Sequence, residues 1–230
     1  NLYYSTDNGS TYPNLITTGG AVPATDGSFA WTVPNSVGMS RRVKIVDAGN
    51  ANVADTSANP FKIGGKLVLN APNGGVTCTV GSACTIQWTP TGTWSNVDLE
   101  YSLDAGSTYT PIATVATGAT GVLQTFASWT PAATQITTTM RIRVRDPNFV
   151  NSTAASASNN NIYGGLILTQ PNASGIVWLK GSSQSINWTG TGQVNPVKID
   201  YSTDGGTSWT TITSVPGASL AANGDGAQSY

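Results

Sequence analysis

The residues of this chain whose type and spacing could support catalysis lie in three copies of one aspartate motif. They read YSTDNGSTY at 4–12, YSLDAGSTY at 101–109 and YSTDGGTSW at 201–209. Paired carboxylates are the acid and base of glycoside hydrolysis, which needs two of them facing one cleft. The chain has no histidine and two cysteines, which excludes Ser-His-Asp and Cys-His catalysis and histidine-ligated metals. Carboxylates are therefore the only catalytic candidates, and the other acids fall on strand outer faces or in turns.

The motif has a structural interpretation as well as a catalytic one. Its S-x-D-x-G-x-x-W spacing resembles the Asp box of sialidases and related propeller enzymes, which would imply a glycosidase. A short aspartate also accepts backbone hydrogen bonds within a turn, and glycine supplies positive φ. We favour the turn and predict no cleft beside it and no catalytic residue. The predicted turn residues are Asp7, Gly9, Asp104, Gly106, Asp204 and Gly206.

Composition narrows the fold and the partners. The 230 residues are 39% hydrophobic and 9% charged, with a net charge of −1 and no basic run. A chain without a basic patch lacks the electrostatic footprint of nucleic-acid binding, and no apolar run is long enough to span a bilayer. Abundant Thr, Ser, Asn and Val favour strands over helices. We therefore expect an all-β protein with no cofactor, no nucleic-acid partner and no membrane insertion.

Other landmarks repeat with the aspartate motif. IQWTPTG at Ile86 recurs as INWTGTG at Ile186, and IGGKLVL at Ile63 recurs as YGGLILT at Tyr163. The period is about 100 residues, the size of an immunoglobulin-like sandwich and about twice that of a propeller blade. The predicted domains are the later part of one repeat at 1–65, a complete repeat at 66–165 and the earlier part of another at 166–230. These are called the first, middle and last repeats below.

Alternating strands support the sandwich. The middle repeat contains about seven short runs with strand character, separated by Gly, Pro, Asn and Ser. VDLEY from Val97 and RIRVR from Arg141 each alternate apolar with charged residues, so each strand has one buried face and one wet face. If these two strands are neighbours, the acidic outer face of one pairs with the basic outer face of the other. The fold class predicted is tandem antiparallel β-sandwiches. Three arginines, Arg141, Arg143 and Arg145, are interpreted as a solvated stripe and not as a sialidase-like carboxylate clamp.

The WTP, YSxDxGxxW/Y, SWTxP and RIRVRD landmarks resemble the tandem Ig-like or fibronectin-III-like repeats of large bacterial surface proteins. That resemblance implies an extracellular stalk, adhesin or filament built from many such domains. It departs from antibody domains, because no cysteine pair joins the two predicted sheets.

The cysteines lie in TCTVGSACT, with Cys78 and Cys84 on either side of a turn at Gly81. The aligned positions of the last repeat are Trp178 and Gln184, so a disulfide here would be a local staple. Two reduced buried thiols are the alternative; C-x5-C without histidine is a poor zinc pattern. A disulfide would fit an oxidising, extracellular compartment.

Tryptophans separate into two groups. Trp31 with Trp129, and Trp88 with Trp188, recur at equivalent positions and are predicted core residues. Trp94 and Trp178 do not recur, which makes them candidates for a surface ligand contact, for example with glycans. Acidic loops at Asp47, Asp55 and Asp146 lack the dense spacing of a calcium site, so no metal is predicted.

The function expected is that of a non-enzymatic extracellular repeat segment that assembles end to end into a fibre, stalk or surface filament. Its partners would be neighbouring repeats or subunits. A carbohydrate-binding or adhesin module is the alternative, and a fragment of a sialidase-like glycosidase is a remote one. The near absence of a spacer around Gly64-Gly65 and Gly164-Gly165 predicts a semi-rigid rod. The partial outer repeats are expected to be completed by complementary repeats, of the same or a neighbouring polypeptide.

Overall fold

A computed structural model describes residues 1–192, 194, 196–215 and 226–229. The described chain is almost entirely strand, loop and turn, with two short 3₁₀ turns at Ala24–Asp26 and Ala133–Gln135. Residues 216–225 of the predicted last repeat and Tyr230 lie outside the described residues.

The middle repeat is a β-sandwich of two sheets. Its larger sheet has the order β10-β9-β12-β14-β7, with β13 also paired to β12, and its smaller sheet has the order β11-β8-β6. All these pairs are antiparallel except β14 with β7, which is parallel. The strands are β6 Lys66–Ala71, β7 Thr77–Thr79, β8 Ile86–Thr91, β9 Asn96–Ser102, β10 Thr110–Ala116, β11 Gln124–Phe126, β12 Thr137–Asp146, β13 Phe149–Ala155 and β14 Asn160–Tyr163.

The core between these sheets follows from the alternation in the sequence. Every second residue of β9 and β12 faces inward, among them Val97, Leu99, Ile142 and Val144, all fully buried. Trp88 on β8 closes the other side and donates its indole N–H to the Thr117 carbonyl. This architecture confirms the predicted fold class, an immunoglobulin-like or fibronectin-III-like β-sandwich.

The first repeat contributes one described sheet. Its order is β2-β1-β3-β4, with β5 also paired to β3. Tyr4, Trp31 and Phe61 make an aromatic cluster on it. The strands are β1 Leu2–Ser5, β2 Asn14–Leu15, β3 Gly38–Val46, β4 Ala54–Thr56 and β5 Phe61–Ile63.

The last repeat has two described sheets, β15-β16-β19 and β17-β18. Trp188, Val197 and Ile199 form a small buried cluster between them. The strands are β15 Gly165–Gln170, β16 Ser185–Thr191, β17 Val197–Tyr201, β18 Thr210–Val215 and β19 Gly226–Ser229. The domain limits at 65/66 and 165/166 stay predictions from the repeat spacing.

Candidate functional site: the aspartate turns and the repeat junctions

Each aspartate motif folds into a turn closed by its own side chains. In the middle repeat the Ser102 hydroxyl donates to Asp104 Oδ1 at 2.7 Å and accepts from the Gly106 amide at 2.8 Å. The same carboxylate accepts from the Thr108 amide at 2.9 Å and from the Thr108 hydroxyl at 2.6 Å. Both carboxylate oxygens are therefore engaged within the turn.

The other two turns repeat this network. Asp7 accepts from the Ser5 hydroxyl at 2.6 Å and from the Thr11 hydroxyl at 2.6 Å. Asp204 accepts from Ser202 at 2.7 Å and from Ser208 at 2.6 Å. The sequence predicted that each aspartate accepts backbone or hydroxyl hydrogen bonds within its own hairpin. The structure places the hydroxyl donors at the serine two residues before each aspartate and at the Thr or Ser four residues after it.

Hydrogen bonding holds all three carboxylates in the ionised state. Ser5, Ser102 and, for the last turn, Ser208 make the largest contribution that lowers the aspartate pKa below its usual range. A general acid needs a pKa near the working pH. These exposed carboxylates instead stay ionised and act as hydrogen-bond acceptors, not as general acids.

The turn backbone has the predicted left-handed glycines. Gly9, Gly106 and Gly206 share φ of 92°. The preceding residue is left-handed too, with φ of 61° at Asn8 and 59° at Ala105. Glycine and asparagine tolerate this region, whereas alanine is strained in it.

In the first two turns, the aromatic residue that ends the turn packs against a cation from β3 or β12. The Arg143 guanidinium lies 3.8 Å from the centre of the Tyr109 ring, and the Lys44 ammonium lies 5.7 Å from the centre of the Tyr12 ring. Both are cation–π contacts. The Tyr109 ring is thus held by its own repeat.

The predicted charge pairing between β9 and β12 is confirmed, with one correction. Arg143 lies opposite Glu100 and Arg145 opposite Asp98, and the ion pairs measure 2.6 Å and 2.8 Å. Arg145 also contacts Glu100 at 3.1 Å. Glu100 is only 5% exposed, because two arginines cover it, so this face is a partly buried ion network and not a solvated stripe.

The junction between the first and middle repeats is a close backbone contact. Gly92, just after β8, has φ of 111°, and a Cβ built there would lie 3.0 Å from Cγ2 of Val37 and 3.3 Å from Cα of Gly65. Two hydrogen bonds also cross it: the Thr93 amide donates to Asn35 Oδ1 at 2.9 Å, and Asn35 Nδ2 donates to the Thr93 hydroxyl at 3.1 Å.

The junction between the middle and last repeats uses equivalent positions. Gly192, just after β16, has φ of 78°. A Cβ built there would lie 2.7 Å from Cδ1 of Ile136 and 3.6 Å from Cα of Gly164. Val37 and Ile136 each directly precede the long strand of their repeat. The same contact, an apolar residue before one long strand against a left-handed glycine of the next repeat, therefore occurs twice.

Trp94 is one of the two candidates for a surface ligand contact. It is partly buried, packs against the middle core, and its ring occupies the space that a Cβ of Gly65 would need. The equivalent position of the last repeat holds Val194, so the tryptophan does not recur there. Trp178 lies in the loop between β15 and β16 and is 38% exposed, beside the exposed side chains of Val177 and Leu179.

The two cysteines form a disulfide. Cys78 lies in β7, Cys84 lies just before β8, and their Cα atoms are 5.4 Å apart. Both side chains are buried. The staple closes the loop at 78–84, called the disulfide loop below.

A cleft of about 510 Å³ opens at the first junction. Lys62 and the Phe149 ring line it together with amide and hydroxyl groups from the turn into β13. The complete lining is Lys62, Gly64, Gly65, Asn148, Phe149, Val150, Asn151 and Ser152.

Among the residues that the structure describes, no three or more Asp, Glu or Cys side chains gather closely enough to hold a metal ion. The same residues include no helix of the length and apolarity required to cross a membrane.

Comparisons with known proteins find little. No family model matches the chain, and no curated protein matches it. The chain is similar to a solved structure of the fibronectin(III)-like modules of Clostridium thermocellum CbhA, at 14% identity over 71% of this chain and 77% of that chain, with a TM-score of 0.24. A likeness this distant carries no argument about activity or ligands, and the fold is stated here from the strands and their pairing.

Proposed function

We propose that this chain is a non-enzymatic extracellular structural segment whose repeats stack end to end into a stiff stalk or filament. The observation that carries the proposal is the recurrence of one junction at two places in the chain. Repeats joined by a flexible linker would leave the turns that follow β8 and β16 open to solvent. Gly92 and Gly192 are instead buried against the preceding repeat.

The first junction supports stiffness in three independent ways. The Asn35 side chain exchanges two hydrogen bonds with Thr93. The Trp94 ring covers Gly65, and the Ser152 hydroxyl donates to the Gly65 carbonyl at 2.5 Å. Bending this junction would break directional bonds and expose an aromatic ring, so a single arrangement is favoured.

The aspartate turns fit the same proposal. In each turn the carboxylate accepts hydrogen bonds from residues of the same turn. The Tyr12 and Tyr109 rings contact cations of their own repeats. These features stiffen the hairpins of each repeat and offer no free acid–base pair, which favours a structural role over the sialidase-like alternative.

Distances across the junctions test the proposal. Spin labels would be attached by non-thiol chemistry to unnatural residues at Ala48, Ala127 and Ala173, which are all exposed. We expect a narrow distance distribution for the 48–127 pair and for the 127–173 pair, as in a rod. Broad distributions for both pairs in the oxidised protein would show freely jointed repeats and refute the proposal.

A carbohydrate-binding module is the second candidate, favoured by the cleft at the first junction. Its volume lies in the range of small-ligand sites, and Phe149, Lys62 and nearby amides could stack on and hydrogen-bond a sugar. A glycan array would test it. Selective binding that is lost in Phe149→Ala and kept in Trp178→Ala would support the cleft; no binding to any glycan would remove this candidate.

A further inference from the structure

The disulfide loop is pinned to the middle repeat on one side. The Val80 amide donates to the Tyr163 carbonyl at 2.9 Å, the Gly81 amide to the Pro131 carbonyl at 3.1 Å, and the Cys84 amide to the Trp129 carbonyl at 2.8 Å. Tyr163 is the last residue of β14 and directly precedes Gly164 and Gly165 of the second junction. The loop therefore lies beside the point where the chain leaves the middle repeat.

The other side of the loop faces the last repeat. Cγ2 of Val80 lies 3.5 Å from the Cβ position of Gly192, and Cγ2 of Thr79 lies 3.3 Å from that of Gly165. Cγ2 of Thr191 lies 3.8 Å from the Cβ position of Gly81. Val80 directly follows the three-residue strand β7, is 5% exposed and also packs in the core of the middle repeat. Together with Ile136, the loop forms the surface on which the turn at 191–192 rests.

Little regular structure holds this loop without the cross-link. β7 spans three residues and pairs with one strand, β14, and the turn at Gly81 has φ of 77°. A disulfide that closes a loop removes conformations that the open chain would otherwise sample. The cross-link thus holds Thr79, Val80 and Gly81 in the positions that the last repeat contacts.

We propose that the Cys78–Cys84 disulfide sets the stiffness of the second junction, so that its reduction loosens the contact between the middle and last repeats and leaves the first junction unchanged. The proposal rests on the stacking proposed above. Both cysteines of the chain are used in this one loop. No part of the first junction described above belongs to it, so the two junctions should differ in their response to reductant.

The chemical step is a thiol–disulfide exchange with a small dithiol such as dithiothreitol. The dithiol supplies two electrons and two protons, the Sγ–Sγ bond breaks, two cysteine thiols form, and the dithiol closes to its cyclic disulfide. No other reactant is required.

The test uses the labelled 230-residue chain before and after reduction, with thiol counting by mass spectrometry to establish that both cysteines are free. We expect the 127–173 distance distribution to widen about twofold on reduction, as the loop regains the freedom that the cross-link removed. The 48–127 distribution should keep its width and serves as the internal control.

Two variants make the result independent of the reductant. Cys78→Ser with Cys84→Ser should show the wide 127–173 distribution without dithiol. Val80→Ala keeps the disulfide and removes both methyl groups of Val80, including Cγ2, which lies 3.5 Å from the Cβ position of Gly192. It should therefore widen the same distribution while the protein stays oxidised. Val80→Ala keeps the test usable if the double serine variant does not fold.

The outcomes separate this proposal from the one on which it rests. Broad distributions at both junctions in the oxidised protein refute the stacking itself. Narrow distributions at both junctions after complete reduction overturn the role of the disulfide and leave the stacking intact. Widening at both junctions on reduction shows that the cross-link stabilises the whole middle repeat, and this also overturns a role specific to the second junction.

Discussion

Replacing Gly92 with alanine is the sharpest test of the stacked junction, because the chain supplies a matched control. Gly20 has the same φ of 111° and open space around its Cβ position, whereas the Cβ position of Gly92 meets Val37 and Gly65 of the neighbouring repeat and linker. Gly20→Ala and Gly92→Ala therefore share the backbone strain of a left-handed alanine, and only Gly92→Ala adds an atom to the junction.

The expected cost follows from this comparison. Backbone strain of an L-residue in this region is roughly 1–2 kcal/mol and is common to both variants. At 3.0 Å from a Val37 methyl group and 3.3 Å from the Gly65 Cα, the new methyl of Gly92→Ala must push the repeats apart. Overpacking of this kind costs about 1–3 kcal/mol, with the upper part of the range expected where backbone has to move.

Hydrogen exchange at the Thr93 amide measures the effect locally, since this amide donates to Asn35 across the junction. We expect its opening free energy to fall by about 1–3 kcal/mol in Gly92→Ala and to stay unchanged in Gly20→Ala. Equal protection of Thr93 in both variants would refute the argument that the two repeats meet at Gly92. The pair Gly192→Ala and Gly181→Ala repeats the test at the second junction, because Gly181 has φ of 85° and nothing near its Cβ position.

Three further predictions concern the middle repeat, each measured by denaturant unfolding. Asp104→Asn should lower the free energy of unfolding at neutral pH. Hydrogen bonds lower the folded-state pKa of Asp104, so the stabilisation by its carboxylate is complete above the unfolded-state pKa of about 4 and is lost as the pH falls further. The difference in unfolding free energy between wild type and variant should therefore shrink in acid, and a difference that does not change with pH would contradict this. Arg143→Met should cost about 1.5–3 kcal/mol, since it leaves the buried Glu100 with Arg145 as its remaining ion-pair partner, and an unchanged midpoint would show that the pair contributes nothing. Ala105→Gly should raise stability by about 0.5–1 kcal/mol by relieving the alanine at φ of 59°, and a loss would mean that the turn carries no strain there.

The sequence predicted the features that depend on local patterns. Alternation in β9 and β12 places Leu99 and Val144 in the core, and the same alternation predicts the pairing of Arg143 with Glu100. Period and turn chemistry together predict the sandwich and the left-handed glycines. Each of these follows from residues within one strand or one turn.

Features that depend on distant residues could not be predicted in the same way. The parallel pairing of β7 with β14 was not predicted, because it joins residues more than 80 positions apart. The burial of Glu100 requires two arginines from another strand, and the position of Trp94 depends on a glycine in the linker. A single aromatic that does not recur gives no signal of this kind, so the sequence could not show that Trp94 packs against the middle core, and its assignment to a ligand surface stays a prediction.

The recurring junction has a consequence for how such a chain can change length. Both halves of the contact are encoded within the middle repeat, which presents Gly92 to the repeat before it and Ile136 to the repeat after it. Duplicating one unit of about 100 residues by recombination would therefore create a new junction in which a glycine already faces an apolar residue, with no compensating substitution. Loss of a unit would likewise rejoin compatible neighbours. Copy number can then vary while each junction keeps the contact between a glycine and an apolar residue, so the number of stacked repeats can change without a new kind of contact.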